Sequence, residues 1–431
     1  MSTIVAAETS SLDDLKKVPF TRYDLGWVIM CIGMAIGAGI VFLPVQVGIK
    51  GLWVFLASAV LAWPALHILQ NLYLKTLSQT EDCSDYTSVI TQYLGKNWSF
   101  FLSVAYFIML LKGMLTYSLA ITFDSASYIQ TFGFTEVLLS DYVWYGLVVL
   151  CIMTAIAAQG ERVIFKVAGP MVIFKLAIVV LLGVVMLPFW SAANIPSLPS
   201  ASELLVFLRD VVLTLPFTLF AIMFVQILSP MNVGFRKVEP DPRRATYRAI
   251  RANRIAYAIL VVSVLFMTLS FSFSITHEQA VEAGRMNISA LAIAAQVIPG
   301  PAVATLTTLL NIFAIMSAFF GIFLGFSEAI KGIAVNVITR FIPRERINNR
   351  LLTWGVCTFI VALLWLWVTT RFPILLLQQL GAPIYGVVSC LIPCYLVYKV
   401  PVLHKFKTPS VLLVVLIGVL LCLSPTFKLL E

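Results

Sequence analysis

"AIGAGIVFLP", Ala35 to Pro44, lies inside an apolar run that starts near Trp27 and continues past Val45 to Val47. Gly37 and Gly39 stand two apart, and Pro44 follows closely. In water this cluster would read as a turn. Flanked by enough apolar residues to cross a bilayer, it reads as a breakpoint in a membrane span. Inside hydrocarbon every backbone N–H and C=O must be paired, so a break persists only where something polar fills it. Glycine allows torsions and close approaches that other residues forbid, and Pro44 cannot donate to the preceding turn. A break near Gly37–Gly39 frees N–H groups that can hold a carboxylate and carbonyls that can hold an ammonium group or a cation. The zwitterionic head of an amino acid offers both. The residues alone leave a second reading open, in which Gly33, Gly37 and their neighbours simply let helices pack closely.

Composition sets the class. The chain of 431 residues is 60% hydrophobic and only 11% charged, with a mean hydropathy of +0.98. Soluble domains carry about a quarter charged residues, so this is a polytopic membrane protein. A span needs about 20 apolar residues. Eleven fit, at approximately 25–47, 52–74, 99–123, 141–159, 168–189, 208–230, 255–275, 302–330, 351–369, 374–398 and 410–427. Residues 1–22 read as a polar cytoplasmic tail with no signal peptide, and 23–427 as a single transmembrane domain.

The net charge of +9 is distributed by side of the membrane rather than gathered for nucleic acid. The connection between the sixth and seventh spans carries Arg236, Lys237, Arg243, Arg244, Arg248, Arg251 and Arg254. The connections of the opposite side together hold only Lys50, Arg285, Arg371 and Lys428. This positive-inside bias places the N-terminus in the cytoplasm, and an odd number of spans places the C-terminus outside. The basic stretch also suits contact with anionic lipid. Cys390 and Cys394 share a helix face without a His or third Cys, so no metal site is expected. His67, His277 and His404 lie on separate elements, and no nucleophile–base pair accompanies them. The sequence therefore gives no support to an enzyme or a cofactor. A receptor of this size would usually carry a soluble signalling domain, for which no room remains.

The spans fall into two halves. The long third span is preceded by "SDYTSVITQYLG", where Tyr86, Val89, Ile90, Tyr93 and Leu94 share one helical face. Ser84 or Asp85 suits its start and Gly95 its end. The long eighth span, five later, is preceded by "THEQAVEAGRMNISALAIAAQVIPG", with Thr276 and Gln279 spaced as a capping box. One connector is expected inside and the other outside. That pattern suits a five-span unit repeated with inverted topology, about 24–189 and 208–398, followed by an extra helix at about 410–427. Transporters built this way interrupt the matching helix of each half near the midplane. "LTLPFTLFAIMFVQILSPMN" in the sixth span, with Pro216 and Pro230, is expected to be irregular near Thr218–Ile222. "QQLGAPIYG" in the tenth, with Gly381 and Pro383, suits part of a gate.

"TRYDLGWVIMCIGMAIGAGIVFLP", "GERVIFK", "NISALAIAAQVI", "AIMSAFFGIFLGFSEAIKG" and "CLIPCYLVYKVPVLHK" together resemble the bacterial hydroxy and aromatic amino acid permeases, most of all the serine/threonine branch. The likeness runs from about Thr21 to near the C-terminus. It implies a bacterial inner-membrane protein of the amino acid–polyamine–organocation superfamily. It also implies an eleven-span, leucine-transporter-like fold with broken helices 1 and 6. The implied activity is uptake of serine, threonine or related amino acids by proton symport, or with sodium in some relatives. An aromatic amino acid permease, taking tryptophan or tyrosine, is the alternative.

Charged residues within spans are costly and mostly functional. Lys175 is the first candidate for proton coupling, because a fifth-span lysine takes the place of a sodium ion in some proton-coupled relatives of this fold. Lys112, near the middle of the third span, has a weaker claim. Glu328, with Lys331, is expected in a gate at the inner end of the eighth span. Asp124 is expected close to a span end, within reach of water. For the substrate, the backbone at Ile36, Gly37, Ala38 and Gly39 would take the zwitterionic head. Tyr117 would close over it, and Thr218, Phe220, Asn311 and Ser317 would shape the rest.

Overall fold

The computed structural model describes residues 18–79, 86–159, 161–339 and 348–429, and among them it is all helix and turn with no strand. The first span is broken. Helix α1 (Arg22–Ala35) starts with a reciprocal cap between Thr21 and Asp24. Helix α2 (Ala38–Lys50) resumes after Ile36 and Gly37, bent from α1 by 46°. Pro44 lies inside α2, and the chain turns ahead of it rather than at it. A full span, α3 (Leu52–Leu77), and the short α4 (Tyr86–Leu94) come next. Gly95, at a φ of 91°, then turns the chain into α5. The proposed caps of α4 at Ser84 and Asp85 lie outside the described residues.

The third span is longer than its apolar run suggests: α5 covers Lys96–Thr131. This carries Asp124 two turns inside a helix, where it is buried, not at a wetted end. Helix α6 (Val143–Ala157) stands for the fourth span with only 15 residues, about 22 Å at 1.5 Å per residue. Tyr142 and Trp144, both exposed, suit the interface at its start. Helix α7 (Glu161–Met186) follows. It turns Ile173 and Phe174 outward and buries Lys175 completely.

The sixth span is broken like the first. Helix α8 (Leu204–Phe220) ends, four residues pass, and α9 (Val225–Val238) begins. Helix α10 (Pro242–Ser274) starts well before the apolar run of the seventh span. Asp241 caps it, Pro242 occupies its first turn, and Arg244, Arg248 and Arg251 find acidic partners, so a polar extension stays helical. Helices α11 (His277–Arg285) and α12 (Ala290–Val297) form a hairpin, with Thr276–Gln279 making the expected capping box. The chain continues through α13 (Pro301–Ile338) and α14 (Asn349–Thr369). The tenth span runs as α15 (Ile374–Tyr385), a π-helical turn over Gly386–Leu391, and α16 (Ile392–Lys399). Helix α17 (Val411–Leu429) closes the described chain.

Counting α8 with α9 and α15 with α16, nine described helices are long and apolar enough to cross a membrane, and the bent α1–α2 pair makes a tenth. The short α6 corresponds to the remaining expected span. The chain is an all-α polytopic membrane protein. The two long helices, α5 and α13, pack on each other. Outward-facing residues such as Val60, Phe100, Leu205 and Val262 are apolar and exposed, as a lipid-facing surface requires.

Candidate functional site

The two breaks touch. A Cβ built on Gly39 would overlap the carbonyl of Phe220 and approach the amide nitrogen of Ala221 to 2.6 Å. Only a residue without a side chain lets α2 pass this close to the end of α8. Gly37 lies close under Tyr117, since a Cβ there would lie 2.7 Å from the Tyr117 hydroxyl and push it aside. Tyr117 thus sits over the first break, as its place on the third span suggested. Ala38 opens α2 directly beside it.

Lys175 closes the first break from the other side. Its Nζ donates to the carbonyls of Ile36 at 3.0 Å and Gly33 at 3.1 Å, and to Oγ of Ser317 at 2.9 Å. The break leaves carbonyls without helical partners, and the ammonium takes them up. All three acceptors are neutral, and all three ammonium hydrogens are used. Lys175 and Ser317, both singled out from the sequence, are therefore brought together at Ile36.

A second buried cation lies by the other break. The Lys112 ammonium donates to Oε1 of Gln378. It also stands 4.7 Å from the ring centroid of Phe220 and 5.4 Å from that of Tyr385. The two rings lie 4.5 Å apart. Gly381 makes room for this lysine, since a Cβ there would come within 2.8 Å of its Cε. The arrangement joins the third span, the sixth-span break and the tenth span. Tyr385 carried no signal in the sequence. Gln378 stood out only as a polar residue in an apolar run.

Other expected residues lie elsewhere. Thr218 turns toward α3, where its hydroxyl meets Oγ of Ser58 at 2.8 Å. Asn311 joins Asp124, Tyr128 and Ser289 near the hairpin. Glu328 is exposed, and among the described residues no ion pair joins it to Lys331. The carbonyl of Pro383 faces the Cys422 thiol at 3.7 Å, next to the π-helical turn.

Ion pairs tie both ends of the first span. On the face with the basic connections, Asp24 is fully buried and pairs with Arg248 at 2.8 Å and Arg251 at 3.3 Å. On the opposite face Lys50 meets Asp210 at 3.1 Å, joining α2 to α8. The arginines of the basic stretch therefore do more than orient the chain.

No family model matches the sequence. It is 49% identical over 411 residues to the probable serine transporter of Escherichia coli (strain K12), covering 95% of this chain and 92% of that one. The chain belongs to the bacterial hydroxy amino acid permeases. More distant members cover it as fully. The serine transporter SdaC of Escherichia coli (strain K12) is 26% identical over 94% of each chain. The threonine/serine transporter TdcC of Yersinia enterocolitica is 26% identical over 95% of this chain and 96% of its own. In this permease, then, the contacting breaks, the buried lysines and Tyr117 form the candidate transport site.

Proposed function

We propose that this protein imports serine-type hydroxy amino acids by proton symport, with alternating access around the two touching breaks. The observation that carries the reading is the Lys175 ammonium seated on the carbonyls of Gly33 and Ile36 and on Ser317. A deprotonated lysine has fewer hydrogens to share among those oxygens. Loss of its proton therefore loosens the first break and links proton release to the shape of the substrate site. The relatives named serine and threonine/serine transporters supply the substrate class.

In this reading the free amides at the start of α2 hold the substrate carboxylate, and the carbonyls released at the second break hold its ammonium group. Tyr117 covers the head. Phe220, Tyr385 and Lys112, packed together beside the second break, flank the place proposed for the substrate side chain. Spans 1–5 and 6–10 act as inverted units that rock against each other. The N-terminus faces the bacterial cytoplasm and the C-terminus the periplasm. The Asp24–Arg248 and Lys50–Asp210 pairs then close the inner and outer sides. Gly381 and Pro383, beside the π-helical turn, supply the bend of a gate.

Uptake of labelled L-serine into proteoliposomes tests this. An inward proton gradient is expected to drive accumulation that unlabelled threonine blocks. Inhibition by tryptophan alone would move the protein to aromatic substrates, and dependence on a sodium gradient would replace the proton.

A further inference from the structure

Another buried ionisable group lies apart from both breaks. Asp124, on α5, is 1% exposed. Its Oδ1 accepts the backbone N–H of Ser289 at 2.8 Å, and its Oδ2 lies 2.6 Å from Nδ2 of Asn311. The titratable or charged groups on the elements around it are few. At the end of these elements that holds Asp124 they are Tyr128 on α5 itself, Tyr145 on α6, Asp141 in the connection before it, Glu282 and Arg285 on α11, and Arg371 after α14, while Lys112 on α5, His277 and Glu278 on α11, and Glu328 and Lys331 on α13 lie further along the same helices. Helix α13 contributes the neutral Asn311 and Thr307. Arg285 pairs with Glu282 and Arg371 with Asp141. No cation among the described residues pairs with Asp124. A carboxyl group in this position is balanced by dipoles alone, and a proton neutralises it at no cost in lost ion pairs.

The Asn311 amide shows how the proton is accommodated. Its Nδ2, with two hydrogens, faces three oxygens: Asp124 Oδ2, Tyr128 Oη at 3.1 Å and Ser289 Oγ at 3.0 Å. Its Oδ1 is buried without any partner. The two ends of an amide have nearly the same shape. With the carboxylate ionised, Nδ2 donates to it. With the carboxyl protonated, the amide turned over places its oxygen to accept the Asp124 O–H, while the Tyr128 hydroxyl keeps its bond to the Thr307 carbonyl. One amide end stays unpartnered in either orientation, so the balance is set by the proton. The 2.6 Å separation lies within the ordinary O–H···O range.

Solvent reaches the chain neighbours of this group, although not the carboxyl itself. A cavity of about 290 Å³ opens on the face opposite the basic connections, and its walls include Phe123, Ser127, Asn287 and Ile288. These residues flank Asp124 and Ser289 in sequence. Asn287 and Arg371, which both line the cavity, are the two non-glycine residues with positive φ among those described. The Asn287 amide holds the carbonyl of Arg371 at 3.2 Å.

We propose that Asp124 is a second proton-binding site, loaded through this cavity and shared by the third span, the eighth span and the α11–α12 hairpin. Ser289 caps α12 through the amide of Ala292, and the carboxylate sits at that helix start. Neutralising it removes a favourable charge from the N-terminus of α12, so the proton weakens the hold of the hairpin on the two spans.

The test is infrared difference spectroscopy on the purified full chain in lipid nanodiscs, titrated over about pH 4 to 10. The wild type minus Asp124→Asn spectrum should contain a carboxylic acid C=O band that grows as pH falls. Asp124→Asn keeps the shape of the protonated group, and if that variant does not fold the band is assigned by its shifted midpoint in Asn311→Leu. Asn311→Leu should move the pH at which the band is half developed. A band of constant intensity, no Asp124-dependent band, or a midpoint unmoved in Asn311→Leu would each overturn the assignment. The readout is the carboxyl group's own vibration. It stands or fails independently of which solute moves and of whether Lys175 couples it to a proton.

Discussion

The α-carbon of Gly39 lies so close to the Phe220 carbonyl that a methyl group there would overlap it. The two interrupted helices are therefore in backbone contact at the point where each is broken. A contact built this way depends on the absence of one side chain.

Gly39→Ala should reduce serine uptake by about tenfold or more, since overpacking costs about 1–3 kcal/mol and each 1.4 kcal/mol is a factor of ten. Gly321→Ala is the matched control, because nothing lies within 4 Å of the added atom. Initial uptake rates in proteoliposomes, normalised to inserted protein, check both.

The Lys112 cage predicts coupling between residues on three spans. Gln378→Ala leaves the ammonium only aromatic faces and should cost about 1–3 kcal/mol of stability. Lys112→Met and Phe220→Leu should be non-additive by about 0.5–2 kcal/mol, the worth of a desolvated cation–π contact. Unfolding equilibria in detergent, measured for the single and double variants, give the coupling energy.

The buried and exposed ion pairs should behave differently. Asp24→Ala leaves Arg248 with Glu239 at 3.7 Å as its carboxylate partner and Arg251 with the carbonyls of Val18 and Pro19, and should destabilise the protein by about 3 kcal/mol. Arg285→Ala removes a pair whose side chains are 77% and 49% exposed and should change stability by less than about 1 kcal/mol. Thermal unfolding of the two variants side by side tests the contrast.

Much of this was legible from residue type. The glycine pair pointed to the first break while leaving close helix packing open, and the structure shows both, a bend between α1 and α2 and a close approach at Gly39. Lys175 was conspicuous as a charge where charge is costly, and the Thr276–Gln279 cap was a local pattern with a local consequence. The second break, over 221–224, was placed near Thr218–Ile222 with a weaker signal, since neither proline stands in it. What sequence could not supply was rotation about a helix axis and distance between helices. Thr218 and Phe220 are two residues apart, yet one faces Ser58 and the other Lys112. Asp124 looked like a residue near water because the apolar run stops there. The helix does not, as Ser289 and Asn311 satisfy the carboxylate inside it. Tyr385 is one aromatic among many until the tenth span is folded against the third.

The most direct measurement compares wild type and Lys175→Ala in the same proteoliposomes, with labelled serine, under an imposed pH gradient and then in exchange against internal serine. Loss of gradient-driven accumulation with exchange partly retained is the predicted result. It would mean that the ammonium on Gly33, Ile36 and Ser317 carries the coupling and not the binding. Accumulation as steep as in the wild type would contradict the account and leave Lys175 as a structural clamp on the broken helix.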